Sequence, residues 1–180
     1  MDTSAISYRV ADFLKQHPPF HAIAEADLVA LAARGRVRFH EAHEFILWQG
    51  EPHKAYVFVI QQGTVTLWDE AGGQAELRDV RGAGDMLGLE QFNGARSCLY
   101  SARSAGDVVL YGFPVADFEA LVLSQPYASQ YVAALGTVTA DFQGTDERPD
   151  PSRMFLHSVA GPPRVCRPHD TVSHAARLMA

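Results

Sequence analysis

Three histidines that lie close together in the chain, His40, His43 and His53, are the first residues whose types could hold a metal ion. Metal ligands on a β-barrel usually come from an alternating His-x-His pair together with a carboxylate farther along the chain. Here two residues separate the first pair, and the strand-like segment that follows His53 offers no carboxylate. We therefore expect no metal ion, and we expect these histidines to lie exposed in turns.

The two cysteines, Cys98 and Cys166, are too few and too far apart for a disulfide framework or a thiolate metal site. Cys98 lies in a segment with the composition of a β-strand, where a cysteine is usually a small packed residue. No Ser-His-Asp or Cys-His grouping is evident along the chain, although such a triad is defined by geometry and not by sequence order. We expect no catalytic residue in this chain.

The composition is that of an ordinary globular protein, because 47% of the 180 residues are hydrophobic and 20% are charged. A net charge of −6 is a poor basis for binding the phosphate backbone of a nucleic acid. The sequence contains no run of about 18 uncharged apolar residues, and its first 20 residues lack the pattern of a signal peptide. We therefore expect a cytoplasmic protein that does not enter a membrane.

The middle of the chain has the periodicity of a β-protein. Short segments either alternate polar and apolar residues or consist of β-forming residues, and glycine-containing turns separate them. This pattern predicts a β-sandwich, jelly roll or barrel from about residue 36 to residue 113. The predicted strands are residues 36–39, 45–48, 56–60, 64–67, 76–78, 97–103 and 108–113.

Helical spacing precedes and follows this region. Residues 6–14 and 23–33 predict two short helices before the strands, and residues 115–122 predict another after Pro114. Pro126 then suits the first position of a longer helix. That helix carries an apolar stripe made of Tyr127, Tyr131, Val132, Leu135, Val138 and Phe142.

The order of these elements and the residues at their turns resemble a cyclic nucleotide-binding domain, over residues 13–123. The resemblance implies a mainly β fold, a jelly-roll-like β-roll with helices at both ends. The segments that carry it are Pro19-Phe20, residues 45–52, residues 55–65, Gly84-Asp85-Met86-Leu87-Gly88, Ala95-Arg96-Ser97, residues 107–110, and Phe118 with Leu121.

The resemblance also implies a ligand site on the segment that follows the Gly-Asp turn. Arg96 matches the family's phosphate-binding arginine, and Ser97 matches the hydroxyl residue that often follows it. Gly88 matches the glycine that lets the backbone approach the ligand. The family's ribose-binding glutamate follows this glycine directly, whereas here Leu89 takes that position and the carboxylate comes one residue later, as Glu90.

Two functions remain open at this stage. The first is a regulatory module that senses a cyclic nucleotide, cyclic AMP in preference to cyclic GMP, through a site made of Gly88, Leu89, Glu90, Arg96 and Ser97. The second is a degenerate module that keeps the fold for dimerisation or domain contacts without a ligand. Leu89 favours the second function. So does the segment between Gly88 and Arg96, which is about three residues shorter than in the family pattern. Gly88, Arg96 and Ser97 favour the first.

The end of the chain carries a second resemblance. Residues 144–152 are polar and proline-bearing and predict a linker, and residues 153–180 resemble the opening strand and helix of a CBS domain that is cut short. Residues 1–143 would then form the cyclic nucleotide-binding-like domain. This order resembles bacterial signal-transduction proteins whose C-terminal part resembles a nucleotidyltransferase, so an enzyme is expected only in a longer protein.

The apolar stripe of the last long helix also predicts an assembly. In the family the corresponding helix commonly packs against its twin, so the resemblance implies a homodimer through helix 126–142. DNA binding would need a helix-turn-helix after this helix, and residues 144–180 show no suitable pair of helical patterns. We therefore expect no DNA partner.

Overall fold

The computed structural model of the chain describes residues 3–71 and 73–140, with side chains described from residue 5 to residue 135. These residues belong to one compact unit, Met1–Gly144. The predicted linker at 144–152 and the predicted CBS segment at 153–180 lie outside the described residues.

The strands form two four-stranded antiparallel sheets, which confirms the predicted β-roll. The first sheet has the order β1-β8-β3-β6 and the second has the order β2-β7-β4-β5. The strands are β1 (Arg36–His40), β2 (Phe45–Leu47), β3 (Tyr56–Gln62), β4 (Val65–Asp69), β5 (Glu76–Arg81), β6 (Met86–Leu87), β7 (Ser101–Ser104) and β8 (Val108–Pro114).

Helices flank the roll at both ends, as predicted. On the N-terminal side α1 (Thr3–Lys15) and α2 (Glu25–Arg34) enclose a short 3₁₀ helix, Phe20–Ala22. On the C-terminal side α3 (Val115–Phe118) continues into a π-helical turn, Glu119–Leu123, and α4 (Pro126–Ala140) follows. In the described part of the chain no helix combines the length and apolarity that a membrane span requires.

Strand β3 separates two hydrophobic cores. Its side chains alternate in direction, so Phe58 and Ile60 belong to a core between the two sheets. Val57 and Val59 belong to a second core, between the first sheet and the helices. We call these the roll core and the helical core. Because both faces of β3 are covered, residues 56–60 of the strand form an uninterrupted apolar run.

The apolar stripe of α4 packs partly within its own chain. Val132 is buried in the helical core, and Tyr131 and Leu135 pack against that core. Tyr127 is 46% exposed. The side chains of Val138 and Phe142 lie outside the described residues. The described part of the stripe is therefore mostly internal packing, and the homodimer stays a prediction.

The strand predicted at residues 97–103 begins later than expected, at Ser101. Ser97 instead forms an isolated bridge with Pro52. The Cys98 backbone is hydrogen-bonded to the turn that contains Gly50 and Glu51. Its N–H donates to the Glu51 carbonyl, and its carbonyl accepts from the Gly50 N–H. Residues 97–98 are thus paired with a turn, which the alternation of residue types does not reveal.

Candidate functional site

The segment from Gly88 to Ser97, which we call the cassette, leaves the roll directly after β6. Gly88 has a φ of +81°, a conformation that favours glycine because it has no Cβ. A short 3₁₀ helix, Glu90–Asn93, follows. The Pro52–Ser97 bridge then fastens the end of the cassette to the turn before β3. The cassette is therefore a short loop that is anchored at both ends.

Leu89 and Glu90 are neighbours in the sequence but contact different parts of the protein. Leu89 packs in the helical core. Glu90 is also buried, but its Oε2 atom accepts a hydrogen bond from the Tyr100 hydroxyl at 3.2 Å. The same hydroxyl accepts from the Gly88 N–H at 3.3 Å. Tyr100 therefore connects the two ends of the Gly88–Glu90 segment.

A charged residue of a short helix is usually solvated, but Glu90 is buried. Glu90 is only 1% exposed, because the side chains of Tyr100 and His53, from other parts of the chain, pack around it. Burial raises the pKa of the Glu90 carboxyl, and the hydrogen bonds and the charges of His53 and Arg81 only partly oppose this.

His53 and Cys98 complete a compact group around Glu90. The Nδ1 atom of His53 lies 3.8 Å from Glu90 Oε1 and 3.8 Å from Cys98 Sγ. The other ring nitrogen of His53, Nε2, lies 3.0 Å from the Ala95 carbonyl. We call His53, Glu90 and Cys98 the His-Glu-Cys group. Its three possible ligand atoms lie within 4.8 Å of one another.

Sequence reasoning missed this group. Cys98 is buried as predicted, and burial raises the pKa of its thiol to about 11. His53, however, is not the exposed turn histidine that we expected, since only 12% of its side chain is exposed. The Pro52–Ser97 bridge brings the two residues together. No sequence signal pairs these two turns, so the group could not have been found in advance.

Arg96 and Ser97 lie at the opposite end of the cassette from Gly88. The Arg96 side chain is exposed, and it makes no hydrogen bond or ion pair with any described residue. Its backbone is nevertheless held on both sides, by the His53 contact to the Ala95 carbonyl and by the Ser97 bridge. The five predicted site residues thus share one loop, but no hydrogen bond or ion pair joins the Arg96 and Glu90 side chains.

Neither Arg96 nor Glu90 lines either of two cavities found in the described part of the chain. The larger one, of about 220 Å³, lies between β5, the turn at Gly84 and Asp85, and Tyr131 and Leu135 of α4. The smaller one, of about 80 Å³, lies among Phe45, Trp68, Glu70, Ala75 and Arg103. Both are smaller than the 300–1,000 Å³ or so of typical ligand pockets.

Comparison with known families identifies the β-roll. Residues 37–125 match the sequence model described as the cyclic nucleotide-binding domain. No curated protein sequence matches the chain.

Solved structures with the same fold come from several organisms. The regulatory subunit of a cAMP-independent protein kinase A from Trypanosoma cruzi, bound to guanosine, has a TM-score of 0.62 and 18% identity, over 76% of this chain and 53% of that one. The sensor domain of the transcriptional regulator DNR from Pseudomonas aeruginosa has a TM-score of 0.64 and 17% identity, over 75% and 91%. The Thermus thermophilus Catabolite Activator Protein has a TM-score of 0.57 and 22% identity, over 68% and 57%.

The chain spans about half the length of the kinase regulatory subunits that it matches. At these identities the likeness shows a shared fold.

Proposed function

Because residues 37–125 form a cyclic nucleotide-binding domain, we propose that the chain is a regulatory module that binds a cyclic nucleotide, cyclic AMP in preference to cyclic GMP. Such domains are typically non-catalytic, and we assign no reaction to this chain. The observation that carries the proposal is the position of Arg96, an exposed arginine without a partner among the described residues.

Arg96 suits a phosphodiester for two reasons. Its guanidinium offers a planar set of N–H donors that matches phosphate oxygens, and none of these donors is used within the described chain. Its backbone is also anchored on both sides, at Ala95 and Ser97. Binding would therefore cost little ordering of the loop, which supports an arginine positioned before the ligand arrives.

The packing supports transmission of a binding signal from the cassette to the C-terminal helices. Leu89 and Val132 lie in the same helical core, and Phe92 of the cassette stacks on Phe118 at 5.7 Å. A movement of the cassette would therefore disturb α3 and α4. A ligand shifts such an equilibrium only through its different affinities for the two states.

A second function is favoured by a different observation. Glu90 is already bonded to Tyr100, and Arg96 lines neither of the two cavities described above. A domain that had lost its ligand would keep the fold for dimerisation, with helix 126–142 as the seam and Tyr127 as its exposed residue. We retain this degenerate module as the alternative function.

Calorimetric titration of the chain with cyclic AMP, cyclic GMP and guanosine distinguishes the two functions. Arg96→Ala should weaken cyclic nucleotide binding about tenfold to a hundredfold, because a charge-assisted hydrogen bond contributes about 1.5–3 kcal/mol. Arg96→Lys should recover only part of this loss. Arg38→Ala, which removes an exposed arginine from β1, is the matched control and should leave the affinity unchanged.

Absence of binding heat and of a thermal shift at millimolar nucleotide would favour the degenerate module. If guanosine binds and the cyclic nucleotides do not, and if Arg96→Ala leaves the guanosine affinity unchanged, the site recognises a nucleoside without a phosphate. Four further expectations stay predictions: a CBS domain after the β-roll, a nucleotidyltransferase-like part in a longer bacterial protein, a cytoplasmic location and the lack of a DNA partner. Residues 141–180 lie outside the described part of the chain.

A further inference from the structure

We propose that His53, Glu90 and Cys98 form a binding site for a divalent transition-metal ion of the zinc class. The site does not depend on the nucleotide function proposed above. Three donors of different elements, nitrogen, oxygen and sulfur, come together from the turn before β3, from the cassette and from the segment before β7. Each carries a distinct part of the argument.

The orientation of His53 leaves one nitrogen available as a ligand. Its Nε2 atom lies 3.0 Å from the Ala95 carbonyl, and a carbonyl oxygen can only accept a hydrogen bond. The proton of the neutral ring must therefore be on Nε2, and Nδ1 presents its lone pair to Glu90 and Cys98. A metal-binding histidine is commonly held in this way, with its second nitrogen donating to a carbonyl.

The Glu90 carboxylate has an acceptor without a donor. Its side chain is 1% exposed, and its Oε1 atom accepts no hydrogen bond from any described residue. An unsatisfied buried oxygen costs about 1–3 kcal/mol, and more when it is charged. Oε2 is held by Tyr100, so Oε1 remains directed toward His53 and Cys98. A cation between the three donors would give Oε1 the partner that it lacks.

The distances between the donors are close to those of a zinc site. Bond lengths of about 2.0–2.3 Å and tetrahedral angles place zinc ligands about 3.3–3.6 Å apart. The Nδ1–Sγ and Nδ1–Oε1 distances are both 3.8 Å, and all three pairs are within 4.8 Å. Small side-chain movements would close the site, and water would supply the fourth ligand.

The donor set also selects the class of ion. A thiolate and an imidazole favour zinc and its neighbours, whereas magnesium and calcium prefer a site made of oxygens alone. The ion would replace the proton of the Cys98 thiol, which passes to solvent. The charges of one thiolate and one carboxylate would then balance the two charges of the ion, so the buried group would be neutral.

Cobalt(II) titration of the metal-free 180-residue chain, without nucleotide, tests the site. We expect thiolate-to-cobalt charge-transfer absorption that saturates at one equivalent and disappears when zinc(II) is added. Cys98→Ser should abolish the absorption, whereas Cys166→Ser should leave it unchanged. No such absorption from the unsubstituted chain would overturn the proposal. So would an absorption that survives Cys98→Ser and disappears in Cys166→Ser.

The other two ligands are tested by zinc affinity, measured in competition with a chromophoric chelator. Glu90→Gln should weaken zinc binding at least tenfold, whereas Glu25→Gln, at an exposed carboxylate of α2, should have no effect. His53→Gln should likewise weaken binding at least tenfold, and His21→Gln should not. Equal affinities within either pair would overturn the assignment. Since no nucleotide is present, neither result bears on cyclic nucleotide binding.

Discussion

Two carboxylates of the β-roll differ in how completely they are hydrogen-bonded. Asp69, at the end of β4, accepts bonds at 3.0 Å from the Gln49 side chain, from the Ala71 N–H and from Arg78. Glu90, in the cassette, accepts one from Tyr100, and its second oxygen has no donor. Asp69 belongs to a satisfied structural network, whereas Glu90 has unused binding capacity.

The pKa values of the two groups move in opposite directions because Glu90 has fewer donors and is also more deeply buried, with 1% of its side chain exposed against 12% for Asp69. Burial acts to raise the pKa of Asp69, but the bonds from Ala71, Gln49 and Arg78 together lower it. Burial also raises the pKa of Glu90, and there the fewer partners do not reverse the effect. The number of donors, and not burial alone, therefore separates a structural carboxylate from a candidate ligand.

Asp69→Asn should produce the largest loss of stability among tests of this comparison. The substitution removes a charged acceptor. The charge of Arg78, whose Nε atom already lacks a hydrogen-bond partner, is then less well compensated by nearby negative charge. We expect a loss of about 2 kcal/mol in the free energy of unfolding, measured with urea at pH 7. Glu76→Gln is the matched control, since Glu76 contacts the same arginine but its side chain is 60% exposed. Equal losses would contradict the comparison.

Glu90→Gln should have a smaller effect at neutral pH, and its sign should depend on pH. A raised pKa favours the protonated carboxyl in the folded state. The resulting stabilisation is complete below the ordinary pKa near 4.5 and is lost as the pH rises through the raised value. Unfolding in the presence of a chelator should therefore show the substituted protein gaining stability relative to the unsubstituted one as the pH rises above about 4.5.

Asp69→Asn should show the opposite trend. The loss in the free energy of unfolding should be complete above the ordinary pKa of Asp69. It should shrink as the pH falls through the lowered pKa of the folded protein, because the carboxylate is then protonated in both the folded and the unfolded state. Parallel pH dependences for the two substitutions would show that the two carboxylates are equivalent after all.

Asp117→Asn should have the smallest effect. Asp117 pairs with Arg34, whose side chain is 60% exposed, so solvent and salt screen the attraction. We expect a loss of less than about 1 kcal/mol in the free energy of unfolding, further reduced in concentrated salt. A loss as large as that of Asp69→Asn would mean that exposure does not set the strength of these pairs.

Much of the fold could be predicted from the sequence, because periodicity depends on local residue order. The alternation at residues 36–39 gave β1 to within one residue, and the apolar run at 56–60 gave most of β3. Strand β6 was missed, since its two residues are too few to show a period. The start of β7 was misplaced because Ser97 pairs with a distant turn.

The site was less predictable, because burial of a polar residue depends on neighbours that are remote in the sequence. The burial of Glu90 depends on Tyr100 and His53, which enclose it from other parts of the chain. Leu89 was predicted as a site residue that departs from the family pattern, and in the structure its side chain packs in the helical core. The roles of Arg96, Ser97 and Gly88 in ligand binding stay predictions.

Strand β3 has a consequence for how the domain comes apart. Val57 and Val59 help to form one core, while Phe58 and Ile60 help to form the other. If the helices detached, one face of β3 would be exposed to water, and the hydrophobic stabilisation of the strand would fall on that side. We therefore expect the helices and the roll to unfold in a single cooperative transition, in which neither part melts as an independent unit.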